Sequence, residues 1–196
     1  MPDTHSLALF PLQTVLMPGS TLGLRIFEPR YLDLVRDCGR NGDGFGICLV
    51  LEGNETGAPA VPVAFGTEAR IEDFGTSDDG LLTLRVRGTR RFRVLRTRVR
   101  DNGLLVGDVE WRADDAVLPV QPQHALLATL LQRIVDKTGT SELGIDEECY
   151  DDTAWVGWRL AEILPLSDHQ RQALLQEDDP LQRMEQLLGL IGSDAI

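Results

Sequence analysis

Leu24-Arg25-Ile26-Phe27-Glu28-Pro29-Arg30-Tyr31-Leu32-Asp33-Leu34-Val35 decides how the N-terminal half folds. Upstream, LGLRIF (22–27) reads as a strand that ends at Ile26 and Phe27. Pro29 then suits the first turn of a helix, where its missing N–H has no bond to lose. Tyr31, Leu34, Val35 and Cys38 recur at helical spacing and predict the buried face of that helix. The stretch is therefore a joint at which a strand becomes a helix. Glu28 and Arg30 read most simply as local electrostatic and hydrogen-bonding ties. The functional alternative is that Arg30 and Tyr31 line a peptide groove.

Working outward, residues 7–27 are extended, with bends marked by Pro11, Pro18 and Gly19. Gly39 and Asn41-Gly42 end the helix, and FGICLVL (45–51) has the short apolar form of a buried strand. A polar loop through NETGAPA (54–60) follows. From 61 to 111 the texture is antiparallel β: VAFGTEARIEDF alternates, Ser77-Asp78-Asp79-Gly80 makes a turn, and Asn102-Gly103 is a hairpin signal. LLTLRVRG (81–88) and RRFRVLRTRVR (90–100) read as strands with arginines on one face, opposite Leu84, Val86, Phe92, Val94 and Val99.

After about residue 116 the period becomes helical. Leu126, Leu127, Leu130, Leu131, Ile134 and Val135 form one stripe, after Pro122 and before Gly139. A second helix follows Asp151-Asp152 and ends before Pro165. Ser167-x-x-Gln170 and Asp179-Pro180-Leu181-Gln182 read as capping boxes that open two more. The fold class is α+β, with a β-rich subdomain over 1–116 carrying one inserted helix and a helical subdomain over 117–196.

Charge is unevenly placed along these 196 residues of net charge −12. Residues 1–100 hold 13 basic and 12 acidic side chains, whereas 101–196 hold 6 and 19. A field of that sign repels phosphate backbones and makes nucleic acid an unfavourable partner. Eight of the 19 basic residues lie between 85 and 100. They form the one candidate RNA surface, with Arg90, Arg91 and Arg93 at its middle, but Phe92 alone supplies aromatic interleaving. The expectation is a solvated face neutralised by the acidic helical half or by an acidic partner. Three widely spread cysteines, no membrane-length apolar run and no leader pattern point to a reducing cytoplasm.

Enzyme signatures are missing. No phosphate-binding loop, dinucleotide fingerprint, nucleophile elbow, Cys-x-x-Cys or His-Glu-x-x-His occurs. The acids at 146–152 lack the register of a calcium loop and read as a solvated loop preceding a helix. Neither cofactor nor metal is expected. Cys38 and Cys48 sit among apolar neighbours and read as buried, although a nucleophile assembled in three dimensions with a histidine stays open. Trp158 projects away from the stripe Val156, Leu160, Ile163, Leu164, beside Ala154, Gly157 and Ala161. It packs either against the β half or, if exposed, against a partner.

Three segments, in order, resemble the N-terminal domain of ATP-dependent Lon proteases: LFPLQTVLMPGSTLGLRIFEPRYLDLV (9–35), FGTEARIEDF with DDGLLTLRVRGTRRFRV (65–94), and LAEILPLSDHQRQALLQEDDPLQRMEQLLGLI (160–191). The resemblance is strongest to the small proteins that consist of this domain alone. It implies a PUA-like pseudobarrel followed by a C-terminal α-helical bundle, and a role in substrate recognition. The ATPase module's phosphate loop and the protease module's Ser–Lys dyad are absent, so neither activity carries over. The expected partner is an unfolded or degron-bearing polypeptide, or a specific protein. Arg30, Tyr31 and Trp158 are the candidate contact residues, and RNA binding through the arginine ribbon is the alternative.

Overall fold

The computed structural model describes residues 4–52, 61–138 and 146–193. The loop expected at 54–60 and the stop expected near Gly139 lie outside them. The chain divides into two units, Met1–Ala113 and Asp114–Ile196.

The first unit holds six strands, β1 (Thr4–Leu12), β2 (Thr21–Ile26), β3 (Phe45–Glu52), β4 (Val61–Thr76), β5 (Leu82–Val99) and β6 (Leu105–Trp111), with the helix α1 (Pro29–Asn41) between β2 and β3. β1 pairs in parallel with β3 and antiparallel with β6, while β4 pairs antiparallel with β3 and β5. The 18-residue β5 also pairs with β2 through Leu82–Arg87 and with β6 through Phe92–Val99. Pairing thus closes a ring β5-β4-β3-β1-β6, and β2 is appended at the end of the strand order, with β5 as its one strand neighbour among the described residues.

The sequence reading broke β5 near residue 88, and the structure runs it straight through. Gly88 is the point where β5 leaves β2 for β6. There the 17–20 segment crosses it, with Gly19 N–H donating to the Gly88 carbonyl at 2.8 Å and Gly88 N–H donating to Ser20 at 2.9 Å. A Cβ on Gly88 would stand 2.4 Å from the Met17 carbonyl oxygen, so only glycine admits this crossing.

Two layers of apolar contact hold the unit. Phe10, Tyr31, Leu34, Phe45, Leu84 and Val86 belong to the larger cluster, which seats α1 on the sheet. Leu9, Cys48, Phe92 and Val109 belong to the smaller. Leu84, Val86 and Phe92 bury as their alternation predicts, and Val94 packs partly buried. Val99, an odd number of steps from that series, is 51% exposed and corrects the expectation that it faces inward. α1 begins at Pro29 and ends at Gly42, a left-handed cap whose N–H donates to Cys38.

The second unit carries α2 (Ala125–Thr138), α3 (Thr153–Ile163), α4 (Asp168–Gln176) and α5 (Pro180–Ser193), with short 3-10 turns at Pro122–His124 and Glu147–Asp151. The buried stripe of α2 is Leu127, Leu131 and Val135, narrower than predicted, and Leu126 is 71% exposed. Asp152 caps α3 by accepting from Ala154 N–H at 3.0 Å. Ser167 and Gln170 form the reciprocal capping box of α4, and Asp179 accepts from Leu181 N–H at the start of α5. No helix of the described residues is long and apolar enough to cross a membrane.

Candidate functional site

The strand-to-helix joint is also where the β unit opens a groove. Glu28 precedes α1 but does not cap it with its side chain. Its carboxylate instead pairs with Arg30 at 2.9 Å, and Arg30 also donates to the Gly103 carbonyl in the β5–β6 turn at 3.3 Å. Arg30 lies over the Tyr31 ring at 4.8 Å, and Tyr31 stacks on Phe10 at 3.9 Å. Both residues are buried. The short distances tie three segments together: the β1 end through Phe10, the start of α1, and the β5–β6 turn.

A groove of about 370 Å³ runs beside this joint. Phe10, Leu12 and Tyr31 line it from the strand-and-helix side, Leu22 and Leu24 from β2, and Phe27 from the joint itself. Phe27 is 55% exposed, an aromatic left in solvent at the rim of an apolar concavity. β2 alternates exposed Thr21, Gly23 and Arg25 with less exposed Leu22, Leu24 and Ile26. Tyr31 lines the groove, while Arg30 does not and acts by holding the joint.

Phe10, Leu22 and Phe27 were not singled out from sequence. The available signal was Phe27, placed between a strand of outward Arg25 and a helix beginning at Pro29, where no buried face claims it.

Trp158 belongs to the helical unit and is buried there. Its Nε1–H donates to Asp115 at 2.8 Å, and the guanidinium of Arg183 lies 3.4 Å over its ring. Arg183, wholly buried, donates to both oxygens of Asp115, at 2.8 and 3.2 Å, and to the Glu177 carbonyl at 2.7 Å. Within residues 114–196, the Trp158 indole N–H and ring face are thus engaged by Asp115 and Arg183.

The remaining candidates resolve by electrostatics. Burial pushes the Cys38 thiol up to about 11, with Asp43 and Asp37 adding to it, and burial alone pushes Cys48 up to about 12. Both stay protonated and poorly nucleophilic at neutral pH. Acids of its own unit pair with much of the arginine ribbon: Arg85 and Arg87 with Glu72, Arg98 with Asp108, and Arg90 with Glu68. Arg91 is buried and Arg93 lies 6.0 Å from the Phe65 ring. No continuous row of uncommitted cations remains on it to track a phosphate backbone. Among the described residues, no three His, Cys, Asp or Glu side chains gather to hold a metal ion.

Comparison with known proteins agrees with the geometry. The solved structure of a Lon N-terminal domain protein from Xanthomonas campestris is 58% identical, matches 94% of this chain and 98% of its own, and superposes with a TM-score of 0.81. The N-terminal domain of Mycobacterium avium complex Lon protease, 15% identical, shares the fold at a TM-score of 0.69 over 94% of this chain and 97% of its own. The family model of the ATP-dependent protease La (LON) substrate-binding domain matches residues 6–193, and the chain belongs to that family.

Proposed function

We propose that this protein is a non-catalytic recognition module for polypeptide, and that the groove beside β2 takes an extended segment of an unfolded or degron-bearing chain. The observation that carries this is the coincidence of an apolar groove with an appended strand that, among the described residues, pairs with β5 alone. A peptide lying along β2 gains main-chain hydrogen bonds from the strand. It turns every second side chain toward Leu22, Leu24, Phe27 and Tyr31. Tyr31 is the contact residue of this reading, Arg30 the residue that holds the joint, and Trp158 the residue that orders the helical unit. The ring closed through β5 supports reading the β unit as a PUA-like pseudobarrel.

The family's substrate-binding assignment supports the same class of partner, and the ion-paired arginine ribbon weighs against RNA. The test is fluorescence anisotropy of a labelled, permanently unfolded polypeptide against the pure protein. Phe27→Asp places a charge at the groove's rim and weakens binding by about tenfold, roughly 1.4 kcal/mol, with an unchanged melting temperature. Equal affinity of the variant and the parent protein rejects the groove as the site.

A further inference from the structure

A second cavity of the β unit shares no lining residue with the groove, so its fate is independent of the reading above. It holds about 350 Å³, and its polar lining includes three arginines (Arg70, Arg90, Arg100), three acids (Asp37, Asp43, Glu68) and Trp111. That volume is at the small end of ligand pockets.

Glu68 organises it. Its side chain is only 4% exposed, and a carboxylate so buried is costly unless its oxygens are satisfied. Oε2 accepts from the Thr89 hydroxyl at 2.7 Å and from Arg90 Nε at 3.2 Å. Oε1 accepts from Arg70 Nη2 at 3.0 Å and from Arg90 Nη2 at 3.4 Å. The carboxylate is thereby spent on positioning the two guanidinium groups. Arg90 is fixed a second time by its face, which lies 3.9 Å from the Trp111 ring, and Trp111 is itself packed edge-on against Phe92. Among the described residues, Arg90 Nη1 is left with no partner, beside a cavity and about half exposed.

An arginine held on one edge and one face, with the remaining N–H groups open to a pocket, is a preorganised anion contact. The cost of ordering the side chain is met before any ligand arrives. The planar fork of N–H groups matches a carboxylate. Asp37 and Asp43 line the same cavity, so its three positive and three negative charges cancel and a dianion gains little there. A monoanion with a neutral or cationic remainder fits that balance.

We propose that this cavity is a binding site for a carboxylate of that kind, seated on Arg90 with Arg100 nearby and its remainder toward Asp37 and Asp43. The carboxylate comes either from a small molecule or from the C-terminal end of a polypeptide. Isothermal titration tests it, with Trp111 emission as the local readout. The probes are a short peptide with a free C-terminus, the same peptide as its C-terminal amide, N-acetylglycine and inorganic phosphate. The free acid is expected to bind at least about tenfold more tightly than the amide and than phosphate, a difference of about 1.4 kcal/mol. N-acetylglycine binding as tightly as the peptide assigns the site to small carboxylates, and binding of the peptide alone assigns it to chain ends.

Arg90→Gln should abolish the preference. Because it leaves Glu68 short of two donors, Arg90→Lys is the companion variant: it keeps the charge, loses the fork and should lose most of the affinity. Arg93→Gln, outside the cavity lining, should leave binding intact. Equal binding of acid and amide, tighter binding of phosphate, or no response to either carboxylate at about 10 mM overturns the proposal.

Discussion

Asp115→Ala removes a carboxylate that Arg183 and Trp158 share. In the native protein Asp115 receives two bonds from Arg183 and one from the Trp158 indole. Its loss takes two hydrogen bonds from a guanidinium of 0% exposure, which keeps its bond to the Glu177 carbonyl, and one from the indole N–H beside it. Breaking one side of a buried ion pair costs about 3–5 kcal/mol, and an orphaned buried donor about 1–3 kcal/mol. The two losses share a site and do not add, so about 4 kcal/mol is the expected total. A domain has about 5–15 kcal/mol in all, so the helical unit loses a large share of its stability. At about 4–8 °C for each kcal/mol in a domain of this size, its melting temperature falls by roughly 15–30 °C. The assay is thermal unfolding of the full chain followed by far-ultraviolet circular dichroism and tryptophan emission. Asp115→Ala combined with Arg183→Met removes both charges and should recover most of the loss. A shift below about 4 °C for the single variant, or a double variant no better than the single, refutes this reasoning.

Four further outcomes follow, three from the β unit and one from the helical unit. Gly66→Ala puts a Cβ 2.4 Å from the Ile47 carbonyl oxygen and 2.7 Å from the Phe92 ring, and should cost about 1–3 kcal/mol or more in urea unfolding. Gly23→Ala, with nothing within 4 Å of its new methyl, should leave the urea midpoint nearly unchanged. Glu68 is pushed up by burial, but hydrogen bonds from Arg90 and Thr89 and the charges of Arg90 and Arg70 outweigh this and hold it below its ordinary 4.5. Its contribution is therefore present above 4.5 and is lost as pH falls through the lower folded value, so stability measured against pH should lose part of its acid limb in Glu68→Gln. Cys149, less buried than the other two thiols, should react with a thiol reagent well before Cys38 and Cys48 in mass spectra of the folded protein.

What the sequence made legible was whatever is decided locally. Pro29 and Gly42 bound α1, Ser167 and Gln170 open α4, and Asn102-Gly103 turns β5 into β6, because each acts on its neighbours within a few residues. The groove was half legible. Tyr31 was found because it begins a helical stripe, whereas Phe10 and Leu22 join it only through tertiary contact. Arg30 read as a local tie and Arg183 was not singled out, whereas they bond to Gly103 and Asp115, 73 and 68 residues away. No periodicity carries information over that distance. Glu68 escaped notice for the same reason, since Thr89 and Arg90 reach it across the β4–β5 pairing. The arginine ribbon read as one solvated face, but Arg91 is buried, and Arg87, Arg98 and Arg100 find counter-charges on β4, β6 and α1, which only the folded pairing brings near.

Amide hydrogen exchange across β2, read with and without a bound unfolded polypeptide, tests the groove most directly. Strand addition should protect alternate amides of Thr21–Ile26, those not already bonded to β5, together with a slowed exchange near Phe27. Binding that leaves the β2 amides unchanged while protecting another surface would contradict the assignment of this strand and its groove as the polypeptide site.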